Sequence, residues 1–219
     1  MGPVRVRRDS LEDSHSKTSL TGSQNPQTAA VELRDWITAE HESVAGRFHD
    51  SIVASVPLER WRDLADGGGS SIAFLTFHVA YHEDLAVNAV LRGGEPLLHS
   101  QRDDLGLGGL AAHVGLGETE PAELTAALDL EQLISYSAAV HAASAEWLDD
   151  LEPTSLEACP EAAIGLAHAG VDEGEVPWLH KMWSGRPASW FVQWEAIGHR
   201  VNHVGEMVSV RNRMGLSPF

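Results

Sequence analysis

Apolar side chains recur at helical spacing through most of the chain. Val31, Trp36, Ile37, Val44, Phe48 and Ile52 share one such repeat, which predicts a helix over residues 28–55 that Pro57 ends. After the glycines of "DGGGSS", Ser70 or Ser71 can cap a second helix over 71–92, closed by Gly93 and Gly94. Residues 93–117 hold seven glycines and no sustained period, so they read as a long connection. Pro121 opens a third helix over 121–151, with Leu124, Leu128, Leu133, Ile134, Ala138, Val140 and Leu148 on its repeat. Residues 153–187 are mixed, with a short helix at 160–169. A strong pattern over 188–213 ends at Gly215 and Pro218. Four long helices, unequal connections and no strand predict an all-α fold, a four-helix bundle with long crossover connections.

Residues 1–27 are polar and poor in large apolar groups, which marks them as a disordered or loosely attached tail ahead of a 28–219 domain. The chain carries a net charge of −17; its first 30 residues are +1, so the remainder is −18. Such an acidic body repels phosphate backbones and argues against nucleic acid as a partner. No apolar run is long enough to span a bilayer, and no apolar core follows the basic N-terminus, so the expectation is a cytoplasmic protein without membrane association. Cys159 is the only cysteine and has no thiol to pair with.

Twelve histidines change the picture. His78 and His82 stand four apart on the second predicted helix, in "FHVAYHED", and His199 and His203 repeat that spacing on the last, in "GHRVNHVGEM". Four residues are about one helical turn, so each pair shares a face. In a bundle, inward residues of facing helices converge, and three imidazoles from two helices hold a divalent ion while leaving positions open. "HRVNH" lacks the glutamate of the zinc-protease helix motif, and the Glu–x–x–His spacing of di-iron bundles occurs only at Glu12–His15. No phosphate-cradling glycine loop and no serine nucleophile elbow is present.

These residues resemble the DinB-like superfamily, whose relatives include mycothiol-dependent maleylpyruvate isomerases. The last-helix signature of that family, two histidines four apart followed by a residue, a glycine and then Gln or Glu, is matched by His199, His203, Gly205 and Glu206. Its second-helix segment is matched by His78, Val79, Ala80 and Glu83, and the likeness runs over about residues 28–215. The resemblance implies a metal held by His78, His199 and His203, with zinc first and nickel or iron as alternatives. It also implies a low-molecular-weight thiol such as mycothiol, bacillithiol or glutathione, and so a thiol-dependent S-transferase or isomerase. A metal-dependent hydrolase and a non-catalytic metal- or ligand-binding stress protein are the alternatives. The expected partner is a small-molecule substrate, with a homodimer left open. The segments 93–117 and 178–194 match nothing in the family pattern.

Other residues have two readings each. His82 is an alternative ligand to His78, or a group supporting it. Glu83 and Asp84 are expected to face solvent, although Glu83 could hold a ligand's second nitrogen. Glu206 either orients a ligand or lies on the surface. His41 and His49 are expected at the surface. Trp178, Trp183, Trp190 and Trp194 are read as core before substrate platform, with Trp190 kept as a substrate candidate. Arg186 beside them could receive an anionic substrate. No side chain is assigned as catalytic.

Overall fold

The computed structural model describes residues 32–219. The predicted tail and its boundary at Thr28 lie outside the described residues. Among those residues the chain is all-helical, with no strand.

Helix α1 (Leu33–Phe48) runs on into a π-helical stretch at His49–Val53. Helix α2 (Ile72–Asp84) continues the same way through Leu85–Leu91. Ser71 caps α2, its hydroxyl accepting from the Phe74 amide at 3.1 Å. Every residue of α2 is buried; its apolar side chains lie on all sides of the helix, which is stable only inside the fold, and they carry Thr76, His78, His82, Glu83 and Asp84 inside with them.

The predicted 121–151 helix is two helices, α4 (Ala122–Ala127) and α5 (Leu130–Asp149). Leu128 and Asp129 between them are extended, and the Asp129 carboxylate caps α5 by accepting from the amides of Glu131 and Gln132. That local hydrogen bonding competes with helix continuation and breaks the pattern that the leucines carry across it. The connections also hold helices that the glycines concealed: α3 (Leu97–Gln101) and α7 (Pro177–Trp183), with the expected α6 at Ala162–His168 between them. The last helix is continuous as predicted. It starts at α8 (Ala188–Trp190), passes through a π stretch at Phe191–Gly198 and ends as α9 (His199–Arg213).

Helix α2 packs on α5 and α9, and α1 packs on the same two helices. One apolar cluster fills the space between them, with Phe74, Phe77, Tyr81, Tyr136, Leu133 and Met207 at its centre. This packing brings the inward faces of α2 and α9 together.

Candidate metal centre

His78, His82, His199 and His203 are all buried and close to one another. The Nε2 atom of His199 lies 3.1 Å from Nε2 of His78 and 3.1 Å from Nε2 of His203. Two nitrogens bound to one ion at about 2.1 Å would stand about 3.0 Å apart at right angles and about 3.4 Å apart in a tetrahedron. The observed spacing falls in that interval.

The opposite edges of the rings decide which lone pairs point inward. The Nδ1–H of His78 donates to the Gly115 carbonyl at 2.8 Å, and that of His203 to the Glu206 carboxylate at 2.9 Å. Both Nε2 atoms therefore carry bare lone pairs aimed at the third ring. His199 Nδ1 sits 3.5 Å from a Glu195 oxygen and has no hydrogen-bond partner. One proton on His199 Nε2 could serve only one of its two neighbours, so at least one neighbour's lone pair faces that nitrogen with no positive centre between them. That donor set fits a divalent cation. Burial lowers the pKa of His78 to about 2, reinforced by the neighbouring imidazoles, and burial also lowers His199, so both rings stay in the neutral, ligating form.

His82 is held differently. Its Nδ1 faces the Glu195 carboxylate at 3.2 Å and its Nε2 faces the Leu116 carbonyl at 3.0 Å. Two acceptors on one ring call for two N–H groups and leave no lone pair. Burial opposes that charge, but the hydrogen bond and charge of Glu195 outweigh it and raise the His82 pKa. Glu195 itself is held at about 2 against the effect of its burial, by His199 and His82. Its other oxygen accepts from the Trp183 indole at 2.7 Å. His82, Glu195 and His199 form a second group of closely placed ligand atoms, sharing His199 with the first.

The glycine-rich connection belongs to this centre. The carbonyls of Ala112, Gly115 and Leu116 accept from Tyr81, His78 and His82 in turn. Gly115 is there for a steric reason: its φ is +95°, and a Cβ would lie 2.5 Å from the Phe77 ring. The same segment brings the Glu118 carboxylate near His78, His199 and His203, with the four ligand atoms within 4.8 Å of one another. A cavity of about 420 Å³ opens beside them, walled by His82, Glu118, Trp178, Met182, Trp194 and His199.

Several expectations need correction. Glu83 and Asp84 do not face solvent; both are 0 % exposed. Glu83 accepts from the Arg200 guanidinium at 2.6 and 2.9 Å and from His41 Nε2 at 3.0 Å, and therefore does not hold a histidine of the α2–α9 cluster. Burial alone would raise its pKa, but Arg200 and His41 hold it at about 2. Asp84 anchors α3 by accepting from the Leu97 and Leu98 amides. His41 is 0 % exposed, stacked on His141 with ring centroids 4.1 Å apart, whereas His49 is exposed as expected. The tryptophans divide: Trp183 is core, Trp178 and Trp194 line the cavity at 43 % and 37 % exposure, and Trp190 is half-buried away from it. Arg186 lies over the Trp190 ring, 5.1 Å from its centroid, and does not line the cavity. Glu206 is partly exposed yet reaches His203, which favours the orienting role.

Sequence reasoning missed Glu195, Glu118, Arg200 and the Gly115 carbonyl. Only Glu195 left a signal, four residues before His199 on the same helix.

The family model described as the DinB superfamily matches residues 50–207. Among solved structures, the crystal structure of a conserved protein from Enterococcus faecalis is similar at 19% identity with a TM-score of 0.63, covering 85% of this chain and 99% of that one. At that identity the likeness shows the fold. No curated protein matches the sequence.

Proposed function

Because the chain belongs to the DinB superfamily, we propose that it is a metal-dependent enzyme of that family, with His78, His199 and His203 as the metal ligands and a low-molecular-weight thiol as co-substrate. The observation that carries this reading is the meeting of three Nε2 atoms at 3.1 Å steps, two of them with their Nδ1–H groups already committed elsewhere. In this reading the four long helices act as a four-helix bundle whose core holds the site. A divalent ion there, zinc before nickel or iron, would supply Lewis acidity and lower the pKa of a thiol or water that it binds.

The chain's own residues do the rest. Gly115 and Glu206 fix the tautomers of His78 and His203. Glu195 sits beside His199 and neutralises the His82 cation. Trp178, Met182 and Trp194 offer a largely apolar wall next to the centre, suited to the carbon skeleton of a small substrate. Reaction by S-transfer or isomerisation, in a cytoplasmic setting where such thiols are kept reduced, agrees with these features.

The test is elemental analysis of the purified protein, followed by cobalt(II) substitution and titration with mycothiol, bacillithiol and glutathione. One divalent ion per chain and a thiol-to-metal charge-transfer band support the proposal. A tightly held ion whose spectrum ignores all three thiols points to a hydrolase or a non-catalytic ligand-binding protein instead.

A further inference from the structure

Glu118 belongs to two features at once. Its carboxylate is grouped with the ligand nitrogens of His78, His199 and His203 within 4.8 Å, and it lines the cavity between Trp178 and Trp194. We infer that Glu118 is a displaceable carboxylate arm, which occupies an open position of the metal centre until a small molecule entering the cavity takes its place. The inference rests on the metal reading given above and adds to it a residue outside the His78–His199–His203 set.

Three observations carry it. First, Glu118 is exposed while the three histidines are buried, so its side chain can swing away at little packing cost. Opposite ligands of one ion at about 2.1 Å lie about 4.2 Å apart, so a small rotation of this free arm brings its oxygen from the observed grouping into range. Second, the backbone that delivers Glu118 is fixed. The carbonyls of Gly115 and Leu116, three and two residues before it, accept from His78 and His82 on the buried helix α2. The arm therefore has a rigid shoulder and a mobile hand. Third, among the described residues lining the cavity none is Lys or Arg, and the His82 cation there already has both nitrogens facing acceptors, the Glu195 carboxylate and the Leu116 carbonyl. Three neutral imidazoles leave a divalent ion with its full charge, and Glu118 is the carboxylate grouped with those three rings. Displacement releases that carboxylate toward the cavity, which favours entering molecules without a negative charge of their own beyond the donor atom.

Cobalt(II) loaded into the full chain reports on this directly, because its visible absorption responds to ligand number and type. Wild type, Glu118→Gln and Glu118→Asp are compared for visible spectrum, for cobalt(II) affinity against a competing chelator, and for the β-mercaptoethanol concentration that half-saturates the charge-transfer band. Loss of the carboxylate in Glu118→Gln is expected to change the ligand-field bands and weaken cobalt(II) binding by about tenfold. It is also expected to lower the half-saturating thiol concentration several-fold, since the internal competitor is gone. The Asp variant, shorter by one methylene, should fall between the two. Identical spectra and affinities for wild type and Glu118→Gln overturn the inference while leaving the three-histidine centre intact. Failure of wild type to take up cobalt(II) at all overturns the metal reading, and this inference with it.

Discussion

A histidine must be neutral to ligate a metal, and burial sets how far into acid each ring stays neutral. Burial holds the folded-state pKa of His78 at about 2, against an ordinary value of 6.5. The sign follows from proton counting. Below pH 6.5 the unfolded chain takes up a proton that the folded chain refuses, so stability falls as pH falls, by up to about 1.4 kcal/mol per pH unit for this one group. His199 moves in the same direction, while His82, raised by Glu195, contributes stability below pH 6.5 that is lost as pH rises through its folded pKa. Metal-free wild type should therefore melt lower at pH 5 than at pH 7, and His78→Asn should flatten that dependence; parallel pH profiles of Tm for the two proteins would show His78 is not the source. Ligation makes a sharper demand. His82 faces acceptors on both nitrogens, so His78→Ala should abolish metal binding while His82→Ala retains it, as metal content of the two purified variants will show. Loss in His82→Ala alone would reverse the assignment.

At the scale of elements, the site depends on how α2 and α9 are pinned together. The Arg200–Glu83 pair is buried at the contact between those helices, with His41 of α1 on the other carboxylate oxygen. Removing one partner of a buried pair costs about 3–5 kcal/mol, because the other charge is left alone. Arg200→Met should therefore destabilise strongly, and the double variant Glu83→Gln/Arg200→Met much less than the sum of the two singles, as urea denaturation can measure. Gly115→Ala should cost roughly 1–3 kcal/mol through strain and overlap with Phe77, and should weaken metal binding by moving the carbonyl that orients His78. Unchanged metal affinity in that variant would show that His78 does not need the loop. The long helices were legible because a period of 3.6 residues is a local property, and the two histidine pairs because ligand spacing is local as well. Arg200 and Glu83 were not legible: 117 residues separate them, and a charged residue on an otherwise apolar helix gives no sign of the partner that lets it be buried. The 93–117 connection was opaque for a related reason, since it serves the centre through backbone carbonyls, which no side-chain pattern records.

For the molecule as a whole, sequence divides a polar segment from an apolar body near Thr28. A chain begun there should keep its helical signal and melt within a few degrees of the full-length protein; a large drop in Tm would move the boundary. No helix among the described residues is long and apolar enough to cross a membrane. Three of the long helices each contain a π stretch, at His49–Val53, Leu85–Leu91 and Phe191–Gly198. Because a π turn holds more residues than an α turn, the last of these stores about one residue beyond what an α-helix of the same rotation would hold. Substituting exposed Gln193 should be harmless. Deleting it would let the segment rewind as α-helix with its two flanks still facing roughly as they do now, whereas one residue removed from the plain helix α9 would turn everything before it by about 100°. Phe191, edge-on to Trp183 at 5.3 Å, would keep its place after the first deletion and lose it after the second, and with it the packing that steadies the indole bound to Glu195. One-residue deletions should therefore be found among working homologues near residue 193 far more often than between His199 and His203.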